Sequence, residues 1–387
     1  MATRDTGYFV TWAGNIPISD TSILVQAALK KHAVLDIELR NGNSILRTAS
    51  FSAVPGNVEV TFERLRRRAS LLSFDVKLSS IPLSLAMKAR LFWRKLIRKL
   101  ESIVFYESWM IGRVYQPIQV SLTWKKLPYI EWIGTREAHR YLADPFALPG
   151  DDTVIFCEEF DYKTQLGRLI SLEVDGKTIT QELEIPPPLP GHLSFPYTFE
   201  HEGNIYALPE SCSARTLQLF RLEDGHWQLH TTILENKAAA DSILFQHAGK
   251  FWVAYTDVDI DPFDNLNLCY ADLLQGPWQA HAGNPVVLDP RRARCGGTPF
   301  LVHGKLYRPA QDCSEVYGGS IRIMEILTCD PERYEEREIT HILPEPGLNP
   351  HGFHTLSMSG DTCLIDAKRM MFSTKHLMRK IKNRLKL

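Results

Sequence analysis

Five similar segments recur between residues 143 and 368, and this repetition constrains the fold more than any other feature of the chain. Each segment contains a short apolar run, a turn with a glycine, and a second run of aliphatic or aromatic residues. Short strands bounded by turn residues are typical of antiparallel β-structure. The segments read ADPFALPGDDTVIFCEEF (143–160), FPYTFEHEGNIYALPES (195–211), ADSILFQHAGKFWVAYT (240–256), GGTPFLVHGKLYRPAQD (296–312) and GFHTLSMSGDTCLIDAK (352–368).

The spacing of these segments indicates which β-structure they build. If Pro145, Pro196, Ser242, Pro299 and His354 are equivalent, the intervals are 51, 46, 57 and 55 residues, enough for a four-stranded sheet with its turns. A helical solenoid would need a 3.6-residue apolar period, which the segments lack. Five similar sheets can protect their edges by closing into a ring. The repeat therefore predicts a five-bladed β-propeller.

The remaining residues divide around this repeat. The 387 residues exceed one average domain, and their composition, 44% hydrophobic and 23% charged, is typical of a globular protein. We predict a mainly β protein with a small mixed α/β region at 1–115, the propeller at 116–367, and a basic amphipathic C-terminal helix at 368–387. Within the first region we predict helices around 23–31 and 60–72, a strand at 34–40, and a basic amphipathic helix at 84–107.

Charge is balanced overall but concentrated locally. The 44 basic and 45 acidic side chains argue against binding to nucleic acid through net charge. Residues 84–100 contain six cations and no acid, and residues 368–387 contain eight cations and no acid. Basic amphipathic helices bind anionic membrane surfaces, and the alternative is a helix that packs on its own protein. In the first segment the predicted apolar face consists of Leu85, Leu91, Phe92, Leu96, Leu100 and Val104.

Other features bear on the compartment and on bound groups. The N-terminal residues lack the basic and apolar pattern of a signal peptide, and no run of 18 uncharged apolar residues occurs. The seven cysteines are scattered, without the CxxC spacing of a zinc site. We predict reduced cysteines, no metal ion and no cofactor, in a cytoplasmic protein that is peripherally associated with the membrane.

The repeat also predicts where a ligand binds. The first strand of each blade lines the central channel of a propeller, so the residues at its start converge at one mouth. Polar groups that converge from separate blades at a concave surface are typical of a small-ligand site. The residues in this position are Asp144, Phe195, Pro196, Asp241, Gly297, Thr298 and His354.

Two known groups of propellers share these motifs. The ADPF motif with Asp144, the aspartate Asp241, and the sequences GPW (276–278) and NPV (284–286) resemble five-bladed glycosidases of the family-43 and family-32 type. The chain is more similar to the N-terminal domain of the glucosamine inositolphosphorylceramide transferase family and its bacterial relatives. This resemblance covers residues 140–367, and it implies that residues 1–115 are a formyltransferase-like remnant. Its motifs are FPYTF…GNIYALPES, ADSILF…GKFWVAYT and GGTPFLVHGKLYRPAQDCSEVYGGSIRI (296–323).

The resemblance to the glycosidases implies roles for individual residues. There, one aspartate acts as base or nucleophile, a second tunes it, and a glutamate protonates the departing oxygen. Asp144 and Asp241 match the aspartates, but the position of the glutamate reads Gly296-Gly297-Thr298. An alcohol leaves poorly without a proton donor, whereas a phosphate leaves as a stable anion. The missing acid therefore favours glycosyl transfer from a sugar phosphate over hydrolysis.

The resulting hypothesis is a glycosyltransferase with Asp144 as general base and Asp241 as the residue that orients the sugar or tunes Asp144. The acceptor would be a polysaccharide or a glycolipid at the membrane surface. One alternative is a glycoside hydrolase that uses Glu210 or Glu315 as a displaced acid, and another is a non-catalytic carbohydrate-binding propeller. The substrate-binding candidates are Glu210, Arg294, Arg308, Gln311, Asp312, Glu315, Tyr317 and His354.

Overall fold

The computed structural model describes residues 6–11, 15–17, 22–41, 44–72, 84–134, 139–173, 179–182, 189–374 and 377–378. The chain forms two compact units. The first comprises Met1–Tyr106, Leu288–Pro290 and Phe372–Leu387, and the second comprises Glu107–Val287 and Arg291–Met371. No helix among the described residues is long and apolar enough to cross a bilayer. None of the seven cysteines forms a disulfide.

The first unit is a small α/β layer, as predicted. Its antiparallel sheet has the strand order β2-β1-β3-β4, and its core includes Leu24, Leu35, Phe51 and Leu65. The elements are β1 (Thr6–Thr11), β2 (Asn15–Pro17), α1 (Ser22–Leu29), β3 (Val34–Asn41), β4 (Ser44–Ser52), α2 (Val58–Leu71) and α3 (Leu85–Val104).

Side-chain caps fix where the two longer helices begin. The Asn57 side chain accepts a hydrogen bond from the backbone N–H of Val60 at the start of α2, and Ser84 does the same for Met87 at the start of α3. Such caps satisfy N–H groups that have no partner within the helix. Helix α3 ends at Val104, three residues before the predicted end, because the chain continues as a strand from Phe105.

The second unit is the predicted five-bladed propeller. Four of its sheets have four strands and the third has five, with the orders β10-β9-β8-β7, β11-β12-β13-β14, β15-β16-β17-β18 with β19 beside β17, β20-β21-β22-β23, and β24-β25-β5-β6. Two short 3-10 helices lie at Ile118–Thr123 and Cys212–Ala214. The strands are β5 (Phe105–Val114), β6 (Glu131–Ile133), β7 (Arg140–Leu148), β8 (Asp151–Asp161), β9 (Leu166–Glu173), β10 (Ile179–Glu182), β11 (Ser194–His201), β12 (Asn204–Glu210), β13 (Thr216–Glu223), β14 (His226–Glu235), β15 (Ala239–His247), β16 (Lys250–Asp257), β17 (Asn265–Ala271), β18 (Gln279–Ala280), β19 (Val287–Leu288), β20 (Phe300–Val302), β21 (Lys305–Asp312), β22 (Ser320–Cys329), β23 (Tyr334–Ile342), β24 (Leu356–Ser359) and β25 (Thr362–Phe372).

Blade five corrects both predicted limits of the propeller. Its outer strands β5 and β6 come from the segment before blade one, so the unit begins at Glu107 rather than at residue 116. Strand β25 extends to Phe372, so residues 368–372 end a propeller strand instead of beginning a basic tail. Most of the predicted C-terminal helix lies outside the described residues.

The inner strands of blades one to three share an irregularity near their start. The pairing register shifts at Asp144, Phe195 and Asp241, and φ is positive at all three, with values of 52°, 44° and 46°. A β-bulge inserts an extra residue and redirects the local side chain. Asp144 and Asp241 therefore occupy equivalent backbone positions in blades one and three.

Candidate active site

Asp144 lies in a buried network that joins blade one to blade five. The Thr355 hydroxyl donates to Oδ1 of Asp144 over 2.8 Å, and Nε2 of His354 lies 3.6 Å from the same oxygen. Nδ1 of His354 lies 2.7 Å from Oδ2 of Asp366, which also accepts the backbone N–H of Asp144 over 2.9 Å. Asp366 fixes this geometry, because its other oxygen accepts the backbone N–H groups of His354 and Thr355.

Burial and neighbouring charges shift the pKa values of Asp144 and His354 in this network. Desolvation raises the pKa of Asp144 to about 7, although the nearby His354 works in the opposite direction. Burial alone would lower the pKa of His354, but the carboxylates of Asp366 and Asp144 outweigh it and raise that pKa. A carboxyl group with a pKa near neutrality is suited to general acid–base catalysis.

Asp241 lies in a second network with residues of blades two and four. Arg294 donates from Nε and Nη2 to the two carboxylate oxygens over 2.5 and 3.1 Å, a bidentate pair. The Gln311 amide also donates to Asp241, and the backbone N–H of Asp241 donates to Glu210 over 3.1 Å. Burial raises the pKa of Asp241 to about 6, against the influence of Arg294.

An aromatic wall adjoins both networks. The Tyr317 ring lies 5.2 Å from the His354 ring and 5.7 Å from the Phe263 ring, and the Arg294 guanidinium lies 5.3 Å from its centre. Trp109 stacks on His354 with ring centres 4.0 Å apart. Tyr317 and Phe263 are partly exposed, so the wall offers apolar ring surface at the edge of the carboxylate groups.

Glu158 is a further buried carboxyl group beside these networks. It lies on β8 opposite Ala143, the residue before Asp144. Nε2 of His192 lies 3.5 Å from Oε1 of Glu158, and that oxygen has no hydrogen-bond partner among the described residues. Burial lowers the pKa of His192 and so disfavours its cationic form. Burial, followed by the charges of Asp144 and Glu210, raises the pKa of Glu158 well above its usual value. Burial therefore favours the protonated form of Glu158.

The structure brings together most of the residues selected from the sequence. Glu315 lies exposed in the loop between β21 and β22, away from the contacts described above. Arg308 and Asp312 also fail to join the site. The residues that do join it are Asp144, Glu210, Asp241, Arg294, Gln311, Tyr317 and His354.

Arg308 and Asp312 were wrong for a reason of strand geometry. Successive residues of a strand point to opposite faces, so Gln311 on β21 reaches Asp241 while its neighbours face elsewhere. Arg308 is fully buried and pairs with Glu336 over 2.8 Å. Asp312 pairs with Arg322 over 2.7 Å. Both pairs lie within blade four.

The position of the missing glutamate has no room for a side chain. A Cβ on Gly297 would lie 1.8 Å from the carbonyl oxygen of Leu356, because the two backbones form a bridge between blades four and five. A Cβ on Gly296 would lie 2.6 Å from the Ile321 side chain. Close backbone packing, in addition to the sequence itself, therefore excludes an acid at this place.

Three residues that contact the two networks were not among the predicted site residues. Asp366, Glu158 and Trp109 lie on second or outer strands, away from the starts of the first strands from which the mouth was predicted. Lys368 was assigned to the tail, yet it is buried, with Nζ 2.8 Å from Glu107 and 5.0 Å from the Trp109 ring. The Glu158-Glu159 pair inside a strand was a usable signal, since two adjacent carboxylates in a strand place one on the inner face.

One group of described residues has the composition of a metal site. Ligand atoms of Asp144, His354 and Asp366 all lie within 4.8 Å of one another. The oxygens of Asp366 already accept three backbone N–H groups and face Nδ1 of His354. The imidazole of His354 thus lies between the two carboxylates, 2.7 Å from Asp366 and 3.6 Å from Asp144.

The part of the chain that forms the propeller is similar in sequence to known proteins. A family model described as glucosamine inositolphosphorylceramide transferase 1, N-terminal, matches residues 133–354. The protein of that name from Arabidopsis thaliana is 31% identical over 300 residues, which cover 68% of this chain and 39% of the relative. Its counterpart from Oryza sativa subsp. japonica is 32% identical over 205 residues, which cover 51% and 27%.

The chain thus spans about two fifths of the length of the Arabidopsis relative. Among solved structures, the catalytic domain of a GH62 α-L-arabinofuranosidase from Coprinopsis cinerea matches with a TM-score of 0.42 at 12% identity. That match covers 67% of this chain and 86% of the other.

Proposed function

The chain belongs to the glucosamine inositolphosphorylceramide transferase 1 N-terminal family, and on this basis we propose that its propeller transfers a glycosyl group from a sugar-phosphate donor to a hydroxyl of a carbohydrate or glycolipid acceptor. The observation that carries the proposal is the environment of Asp144. It is a buried carboxyl group with a pKa of about 7, held by Thr355 and His354.

In the proposed reaction Asp144 accepts the proton of the acceptor hydroxyl. The acceptor oxygen forms a bond to the anomeric carbon, the bond from that carbon to the phosphate oxygen breaks, and its electron pair leaves with the phosphate. His354 stabilises the ionised Asp144 before the transfer, and Asp366 holds the imidazole in place. The proton ends on Asp144, from which solvent removes it.

The Asp241 network would bind and orient the donor sugar. Its carboxylate is fixed by Arg294 and Gln311, and Glu210 lies 4.0 Å from Arg294. Carboxylates held in this way accept hydrogen bonds from sugar hydroxyls, and Tyr317 supplies ring surface for a sugar face. A leaving phosphate would lie near Arg294 and His354, since these two cations adjoin the aromatic wall.

The test is an assay of the full chain with nucleotide sugars and membrane glycolipid extracts. Replacing Asp144 by Asn should lower kcat by about 10²- to 10⁴-fold, because the variant cannot accept the proton. The matched control is Asp224→Asn, since Asp224 also has a positive φ, of 50°, but is exposed in a turn. An Asp144→Asn protein with wild-type activity would exclude Asp144 as the base.

Glu158 favours glycoside hydrolysis as a second candidate function. A carboxyl group with a raised pKa near Asp144 is suited to protonating a departing alcohol, and Gly297 cannot supply one. The position of Glu158 depends on Gly167, because a Cβ there would lie 2.2 Å from Oε1 of Glu158. In this alternative Glu158 protonates the leaving oxygen while Asp144 activates water.

Leaving-group dependence separates the two candidates. If hydrolysis is the reaction, Glu158→Gln should lose the cleavage of alkyl glycosides by about 10²-fold or more and retain that of dinitrophenyl glycosides, which need no proton. Glu159→Gln is the control, because Glu159 is its neighbour but pairs with Arg168 over 2.8 Å. If transfer is the reaction, no sugar is released from either glycoside, and Glu158→Gln leaves transfer from a sugar phosphate intact.

A further inference from the structure

Helix α3 of the first unit turns its apolar side to solvent. Phe92 and Trp93 are 61% and 59% exposed and contact each other edge to face. At about 100° per residue, the exposed apolar residues form one continuous side of the helix. A helix that packs on its own domain would bury this side. The exposed residues are Leu85, Phe92, Trp93, Ile97 and Leu100.

The opposite, more polar side of α3 packs on the rest of the unit. Leu91 is the buried residue of this helix. Gly56 lies against the helix backbone, since a Cβ there would be 2.6 Å from the N atom of Lys95 and 2.9 Å from the carbonyl oxygen of Leu91. The expectation that Leu91 shares a face with Phe92 and Leu100 is therefore wrong. The helix packs on the first unit through its polar side, and its apolar side remains exposed and available to another partner.

Cations border the exposed apolar side along both edges. By helical position, Lys88 and Lys99 lie beside Phe92 on one edge, and Arg90 lies beside Ile97 on the other. All three cations are exposed, and Glu101 is the acid within the helix. Long cationic side chains of this kind cover apolar surface with their stems and extend their charges to lipid phosphates.

We infer that α3 docks the protein in the plane of an anionic phospholipid bilayer. Its apolar side would enter the boundary between headgroups and acyl chains, and the bordering cations would lie among the phosphates. The charge decides between occupants: a second copy of α3 would bring its own three bordering cations to the same surface, whereas anionic lipid neutralises them. The inference uses no catalytic residue, so it stands or falls independently of the proposed function.

The experiment is sedimentation of the full chain with phosphatidylcholine vesicles that contain 0 or 30% phosphatidylglycerol, on the order of the anionic content that attracts basic segments. We expect binding to the anionic vesicles that weakens as salt rises from about 0.05 to 0.5 M, because the Debye length shortens from more than 10 Å to a few Å. Phe92→Ser with Trp93→Ser should weaken binding at least about tenfold, since two large apolar side chains are removed.

Matched variants keep the inference falsifiable. Leu301 and Tyr129 are exposed apolar residues of the propeller, so Leu301→Ser with Tyr129→Ser should leave binding unchanged. Lys88→Glu with Lys99→Glu should weaken binding about tenfold or more, and Lys126→Glu with Lys163→Glu should not. Circular dichroism checks that each variant is folded.

Three results would overturn the inference. The first is the absence of binding to anionic vesicles. The second is binding that Arg379→Glu with Lys382→Glu abolishes while the α3 variants retain it, which would assign the contact to the C-terminal segment. The third is a dimer in sedimentation velocity that Phe92→Ser with Trp93→Ser converts to a monomer, which would make the apolar side an interface between copies.

Discussion

His354 connects two carboxylates from different blades: its Nε2 lies 3.6 Å from Oδ1 of Asp144, and its Nδ1 lies 2.7 Å from Oδ2 of Asp366. Asp144 belongs to blade one, whereas His354 and Asp366 belong to blade five. Residues of blade five therefore influence the pKa of Asp144, the proposed base in blade one. Substitutions in blade five should change that pKa.

The Thr355 hydroxyl should control the pH at which Asp144 ionises. It donates to the carboxylate over 2.8 Å, and a hydrogen bond to the charged form lowers a carboxyl pKa. Thr355→Val should raise the pKa of Asp144 from about 7 by about one unit, the effect of one hydrogen bond to a charged group. The midpoint of the rise in kcat/KM with pH should move by the same amount. Thr355→Ser keeps the hydroxyl and should keep the midpoint; equal midpoints for all three proteins would contradict this role.

Ionisation of Asp144 should also reduce stability as pH rises. The pKa is about 7 in the folded protein and about 3.9 in an unfolded chain, so between these values the folded state holds a proton that the unfolded state has released. The free energy of unfolding should then fall between about pH 4 and pH 7. Asp144→Asn removes this effect and should raise Tm at pH 8 by several degrees, while Tm at pH 4 changes little. A lower Tm for Asp144→Asn at pH 8 would contradict the assigned pKa.

Lys368 should be a structural residue of the propeller. Its ammonium group is buried, pairs with Glu107 over 2.8 Å and donates to the carbonyl oxygen of Tyr317. Lys368→Met should lower the free energy of unfolding by about 3 kcal/mol, since a buried ion pair loses one partner. Lys305→Met, which removes a largely exposed partner of Glu325, should cost less than about 1 kcal/mol in the same urea titration. Equal effects would show that Lys368 is solvated.

Gly297 should tolerate no side chain. Its Cβ would meet the Leu356 carbonyl oxygen at 1.8 Å, where blades four and five join. Gly297→Ala should destabilise the propeller by about 3 kcal/mol or more, the range of severe steric substitutions. Gly304→Ala is the control, because Gly304 also has a positive φ, of 76°, yet a methyl group added there would meet no neighbour within 4 Å; it should cost about 1 kcal/mol. Thermal unfolding of both proteins compares the two costs.

The sequence predicted the elements that repeat. The five segments, their spacing and their turn glycines predicted the blades, and the alignment of their first strands selected Asp144 and His354, which lie 3.6 Å apart. The helices predicted around 23–31 and 60–72 are present as Ser22–Leu29 and Val58–Leu71.

What the sequence could not predict depends on contacts between distant segments. Strand β5 gives no sign that it completes blade five, because its partner β25 lies more than 240 residues later. The burial of Arg308 beside Glu336 depends on which face of β21 packs inward. Helix α3 packs on its unit through its polar side, and this packing depends on the close approach of the Gly56 and α3 backbones. The sequence alone does not show that these backbones meet.

The closure of blade five also ties activity to completion of the ring. Strand β5 is synthesised before blade one, and β24 and β25 are synthesised after blade four, yet Trp109 of β5 stacks on His354 and Asp366 of β25 holds Asp144. A propeller without its C-terminal strands would have four intact blades and an aspartate without its imidazole partner, and one without β5 would lack the Trp109 ring that stacks on His354. A nascent chain or a proteolysed molecule that lacks part of blade five should therefore be inactive even if its other blades are folded. Activity would then begin only after blade five is complete.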